Sequence, residues 1–142
     1  MKNKVYWFIF FPFFFSSACD SDPVRDTLPL VYVAIDLNVR DLRYNDLHTL
    51  GYVYLEGGLR GIILYKKSET EYLAFERNCT YDSSNPCGIV EMDASVFFMK
   101  DPCCESTFNL EGIPSGGPAQ NPLRTYFTFL EGDRLFIRSE TF

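Results

Sequence analysis

Val31, Val33, Ile35, Leu37 and Val39 alternate with Tyr32, Ala34, Asp36 and Asn38. A period of two puts one set of side chains on each face of an extended chain, which is the pattern of a half-buried β-strand. The rest of the chain repeats this theme in short pieces. Residues 51–55 read as a strand closed by Glu56-Gly57-Gly58, and residues 62–65 and 71–76 as two more joined by the charged turn 66–69. Short runs at 88–93, 96–99 and 107–110 follow, and Val96-Phe97-Phe98-Met99 reads as a buried strand. Residues 125–130 and 135–138 flank Glu131-Gly132-Asp133 as a closing hairpin. Between these pieces, 40–49 is polar and holds His48, 78–87 is rich in turn residues, and 111–122 is a Gly/Pro loop with no regular structure expected. No window of a dozen residues carries a helical period. Short strands with frequent turns indicate an all-β sandwich or barrel-like domain.

The amino terminus has a different character. Lys2 and Lys4 precede the apolar run 5–15, which ends in Ser16-Ser17-Ala18-Cys19. A charged start, an apolar middle and small residues at the exit form a secretory signal. The run falls well short of the ~20 residues that span a bilayer as a helix, and Pro12 interrupts it. The small residues ending in Ala18-Cys19 resemble a bacterial lipobox, which implies lipidation of Cys19, although Phe15 and Ser16 depart from its upstream pattern. The expected organisation is a signal peptide at 1–18, a lipidated cysteine with a polar tether at 19–29, and one β domain at 30–142. The membrane is then a partner through the anchor, and the location is the cell envelope, facing the periplasm or the cell surface.

The formal charge of −6 disfavours nucleic acid, whose backbone selects a basic face. Losing Lys2 and Lys4 with the signal makes the remaining domain more acidic. An oxidising compartment inclines the four other cysteines toward disulfides.

Three stretches near those cysteines carry the most specific pattern: NCTYDSSNPC (78–87), DPCCESTF (101–108) and GGPAQNPL (116–123). Together they resemble the Rieske ferredoxin domain, which has C-x-H with a nearby cysteine, then C-x-C-H-G-S-x-F, then a loop ending in G-P-A. Pro102, Cys103, Ser106 and Phe108 fall in register with the second box. With GG-x-x-GII-x-Y at 57–65 and the lipobox, the chain also resembles Rieske-like lipoproteins of Bacteroidetes. The resemblance implies an antiparallel β-sandwich carrying a small two-loop cluster-site subdomain.

The same register implies a rewritten site. A Rieske centre holds one iron by two cysteines and the other by two histidines. Cys79 matches the first cysteine, Tyr81 stands at the first histidine, Asp101 replaces the second cysteine and Cys104 replaces the second histidine. The chain has one histidine, His48, well before the first box, so one chain cannot supply two imidazoles. An all-thiolate cluster on Cys79, Cys87, Cys103 and Cys104 is disfavoured by spacing and by disulfide competition, and the spacing does not suit a structural zinc site. No metal and no cofactor is therefore expected. Four cysteines allow three pairings. The family's loop bridge maps onto Cys87 and Cys103, which leaves Cys79 and Cys104 to close a second bridge at roughly 3 kcal/mol per loop.

For the remaining polar groups the ordinary readings are favoured. Tyr81 is expected as a packed ring, Asp101 as a turn residue, Glu105 as a solvated side chain where the family has glycine, and Ser106 as a loop hydrogen-bonding group. Residues 116–119 read as a loop over the site, and His48 as a loop residue. No catalytic residue is identified. The expected function is a membrane-anchored, cluster-free Rieske-fold lipoprotein acting as a structural or binding module with no named protein partner. Two alternatives stand beside it: an electron-transfer protein with a non-standard cluster, and a periplasmic thiol–disulfide protein using Cys79 and Cys104.

Overall fold

The computed structural model describes residues 28–139. The signal segment, Cys19 and most of the tether lie outside the described residues. Among the described residues, ten strands run in chain order: β1 (Ala34–Asn38), β2 (Tyr52–Leu55), β3 (Ile62–Lys66), β4 (Tyr72–Glu76), β5 (Glu91–Met92), β6 (Met99–Lys100), β7 (Thr107–Phe108), β8 (Pro114–Gly116), β9 (Thr125–Glu131) and β10 (Arg134–Arg138). They form two antiparallel sheets, one ordered β1-β10-β9-β4-β3-β2 and one ordered β5-β6-β7-β8. The all-β, antiparallel expectation holds.

The alternation in the first strand works as its period requires: Val33, Leu37 and Val39 are buried, while Ala34, Asp36 and Asn38 face outward. Those three join Val53, Ile62, Leu64, Ala74, Leu135 and Ile137 in one core. Strands from both ends of the six-stranded order thus share one interior, so the sheet curls over itself. Ile63 and Phe75 point the other way, into a second core with Val90, Met92, Met99, Phe108 and Cys79. β3 therefore has both faces covered, and its Ile62-Ile63-Leu64 run is wholly buried. The second core lies between the large sheet and the small one that carries the cysteine loops.

Three sequence expectations need correction. The polar stretch 40–49 contains a 3-10 turn at Leu42–Tyr44 and a short helix at Asp46–Thr49, which buries Leu47. Residues 96–98 are not a buried strand. Asp93 Oδ1 accepts from Ser95 N at 2.8 Å, Val96 takes a left-handed φ of 62°, and Phe97 is 78 % exposed, so β6 begins only at Met99. The Gly/Pro loop 111–122 does contain a strand, β8, which pairs with β7 through an irregular register.

Candidate functional site

Three loops meet over the second core. The first leaves a short ladder: Val90 N donates to Arg77 O at 2.7 Å and Cys79 N to Gly88 O at 3.0 Å, pinning both ends of the 79–88 segment. The second is the β6–β7 hairpin loop, closed by Asp101 N donating to Ser106 O at 2.9 Å. The third follows β8, and Ala119 N reaches back to Ser106 Oγ at 3.0 Å. A Cys87–Cys103 disulfide ties the first loop to the second. Thr80 Oγ1 donates to Asn121 O at 2.7 Å and ties the first to the third.

Cys79, Asp101 and Cys104 come together beneath these ties, with one ligand atom from each lying within 4.8 Å of the others. Cys79 and Asp101 are fully buried and Cys104 is half-buried. The Cys104 thiol lies 3.1 Å from Asp101 Oδ2 and 3.0 Å from Ser106 Oγ. Asp101 Oδ1 accepts from Cys103 N at 2.8 Å. Burial, and then the Asp101 carboxylate, push the Cys79 thiol well above its ordinary range. Burial also opposes ionisation of Asp101, but hydrogen bonds from the two thiols and from backbone N–H groups outweigh it and hold that carboxyl below its usual value.

The second expected bridge is not formed. Cys79 and Cys104 are free cysteines with their sulfurs 3.7 Å apart, against the ~2.05 Å of a bonded pair. The Cys104 sulfur is instead engaged by the Asp101 and Ser106 oxygens. Tyr81 is not a packed ring either: it is 56 % exposed and, with Asp82, Asn85, Asp101, Cys104 and Pro118, lines an open cavity of about 300 Å³. Asp101 is no ordinary turn residue, because its carboxylate is buried and shared between two thiols. Ser106 is buried and hydrogen-bonded, Glu105 is exposed, and His48 is exposed with Nε2 2.9 Å from Val39 O.

Glu105 has a left-handed φ of 62°, where the resemblance places a glycine. A side chain there costs roughly 1–2 kcal/mol that glycine avoids, partly offset by glycine's looser unfolded chain. Glu105→Gly is therefore expected to stabilise the protein by about 0.5–1 kcal/mol. The reading is an upward shift of the urea midpoint with an unchanged slope; a downward shift would contradict it.

Sequence reasoning missed the close approach of Asp101 to both thiols. Its signal was the position that the sequence resemblance aligns with a cluster ligand of the family.

Neither the family models nor the curated proteins give a match to this chain. Among solved structures, the chain is similar to the cyanobacterial plasma membrane Rieske protein PetC3 from Synechocystis PCC 6803. That likeness has a TM-score of 0.55 at 21 % identity and covers 66 % of this chain and 92 % of that one. The ferredoxin of carbazole 1,9a-dioxygenase from Nocardioides aromaticivorans IC177 matches at a TM-score of 0.47 and 13 % identity, over 63 % of this chain and 86 % of its own. The antiparallel sheets, the two disulfide-tied loops and the likeness to PetC3 together give this chain a Rieske-like fold.

Proposed function

We propose that the protein is a lipid-anchored Rieske-fold module of the cell envelope that works without a two-iron cluster and uses the rewritten loop site for binding. The observation that carries this reading is the donor set. The positions in register with the four cluster ligands hold Cys79, Tyr81, Asp101 and Cys104, and the chain's single histidine is His48. His48 lies on the short helix packed against β2 and β3, with Nε2 2.9 Å from Val39 O, so even one imidazole is engaged elsewhere. A two-cysteine, two-histidine centre does not fit these residues. The all-thiolate alternative needs Cys87 and Cys103 as free thiols, and those two are bonded to each other. A thiol–disulfide role needs an accessible thiolate, and Cys79 is buried where burial and the neighbouring carboxylate both oppose loss of its proton. The anchor rests on the sequence pattern ending in Cys19.

The test is composition of the full chain purified from membranes. The expected result is a protein with no stoichiometric iron, no acid-labile sulfide and no visible cluster absorption. A coloured protein with about two irons and two sulfides per chain would overturn the reading. In the same host, Cys19→Ala is expected to leave the membrane fraction, and persistence of that variant in membranes would remove the anchor.

A further inference from the structure

We propose that Cys79, Asp101 and Cys104 form a mononuclear zinc site with its fourth position open to the cavity. The proposal deepens the cluster-free reading and rests on it, because a two-iron cluster would claim the same thiols.

The spacing is the first reason. Two zinc–sulfur bonds of about 2.3 Å at a tetrahedral angle separate their sulfurs by about 3.8 Å. Cys79 Sγ and Cys104 Sγ stand 3.7 Å apart. In register, the family uses these two positions for different irons; here they lie one ion's width apart. Asp101 Oδ2, at 3.1 Å from Cys104 Sγ, needs to open by only a few tenths of an ångström to reach the ~3.5 Å that zinc–sulfur and zinc–oxygen bonds set.

The surroundings are the second reason. Metal ligands work best when other groups fix their orientation. Asp101 Oδ1 accepts from Cys103 N, which leaves Oδ2 turned toward the thiols. Ser106 Oγ accepts from Ala119 N and sits 3.0 Å from the Cys104 sulfur. The Cys87–Cys103 bridge and the hairpin hold the first two loops in register. Two of the three ligands, Asp101 and Cys104, line the cavity, while Cys79 closes the inner side against the second core. Three protein ligands with one position facing solvent are the pattern of a zinc ion that holds an exchangeable water.

Binding is balanced without a redox partner. A zinc ion replaces the protons of the two thiols, both protons leave to solvent, and no atom changes oxidation state. Two thiolates and one carboxylate also suit zinc better than a hard ion such as magnesium.

The experiment uses the protein purified from membranes, handled without oxygen and with the Cys87–Cys103 bridge intact, so that with the Cys19 thiol lipidated two titratable thiols are verified beforehand. Zinc is titrated against a chromophoric chelator, and cobalt(II) replaces it for spectroscopy. One equivalent of metal is expected, with thiolate-to-cobalt charge-transfer bands and tetrahedral d–d bands in the wild-type spectrum. Cys79→Ser and Cys104→Ser are expected to lose at least about 100-fold in affinity and Asp101→Asn about 10–100-fold. Far-UV circular dichroism checks that each variant is folded, and the wild-type cobalt spectrum does not depend on any variant. Iron with sulfide in the isolated protein would sink the cluster-free reading. An iron-free chain that takes up no cobalt, or binds it without a thiolate band, overturns the zinc site alone. A Cys79–Cys104 disulfide in the isolated protein overturns it as well.

Discussion

Glu76→Ala is expected to destabilise the domain by at least about 4 kcal/mol, a large part of the ~5–15 kcal/mol that holds a domain of this size. Glu76 ends β4, is wholly buried, and its carboxylate accepts four hydrogen bonds. Oε2 takes Leu59 N at 2.7 Å and the Tyr126 hydroxyl at 2.6 Å, while Oε1 takes Arg60 N at 3.0 Å and Asn78 N at 3.1 Å. Alanine leaves four donors without their acceptor, the Asn78 N–H and the Tyr126 hydroxyl buried and the Leu59 and Arg60 N–H groups part-buried, each costing about 1–3 kcal/mol at full burial before any relaxation. The geometry also explains Gly58, whose φ is +65° and where a Cβ would fall on Glu76 Oε2 and the Tyr126 hydroxyl. Glu76 thus fixes the 57–60 turn and the backbone just before Cys79, so it positions the site without touching it. Glu76→Gln keeps one oxygen but turns an amide N–H₂ either against the Leu59 N–H, where the Tyr126 hydroxyl can turn and accept, or against the Arg60 and Asn78 N–H groups, with an expected cost of about 2–3 kcal/mol. Urea unfolding measures both, and a loss below about 1 kcal/mol for Glu76→Ala would refute the role assigned to the carboxylate.

The same contact sets an alkaline limit. Burial, and then the hydrogen bond to Glu76, raise the Tyr126 hydroxyl above its ordinary value of 10.0. The folded state therefore keeps this proton after the unfolded chain has lost it. Stability from this group is intact below about pH 10 and falls as pH rises further, by up to ~1.4 kcal/mol per pH unit. Tyr54 and Tyr72 are raised by burial too, so Tyr126→Phe should shallow the alkaline decline without abolishing it. A decline of unchanged steepness in Tyr126→Phe would show that the hydroxyl does not carry this dependence.

The large sheet was legible because its strands obey a local rule. Alternation from Val31 to Val39 decides which face is buried whatever the rest of the chain does, and the turn at Gly132-Asp133 announces the last hairpin. The small sheet was less legible because its strands are two or three residues long and owe their place to neighbours. Phe97 and Phe98 look like strand interior, but the Asp93 turn and the left-handed Val96 use up the residues a strand would need. β8 contains Pro114 and Gly116, which carry no strand preference, and exists because β7 offers an edge. At the site, register alone brought Cys79, Asp101 and Cys104 onto facing loops. It could not reveal that Asp101 is buried. An aspartate before proline reads as solvated, and only the folded chain supplies the two thiols and the Cys103 N–H that replace water around it.

Gly117→Ala is expected to cost roughly 3 kcal/mol and to loosen the loop site along with the fold. Gly117 has a φ of +78°, and a Cβ there would lie 2.5 Å from Ser106 Cα, 2.8 Å from Glu105 O and 2.9 Å from Ser106 N. All three are backbone atoms, so no side chain can swing aside and the third loop must lift from the second. That movement pulls Ala119 N away from Ser106 Oγ and disturbs the Thr107–Gly116 pairing. Gly132 is the control. Its φ is +60°, yet a Cβ there meets nothing within 4 Å, so Gly132→Ala carries the backbone cost without the collision. About 1 kcal/mol is expected for it. The excess cost of Gly117→Ala over Gly132→Ala measures how closely the third loop is pressed on the hairpin that holds Cys104. If Ser106 orients that ligand through this contact, cobalt affinity should fall in Gly117→Ala and stay at the wild-type value in Gly132→Ala. Equal stability losses in the two variants, with equal cobalt affinity, would mean that the third loop does not press on the site.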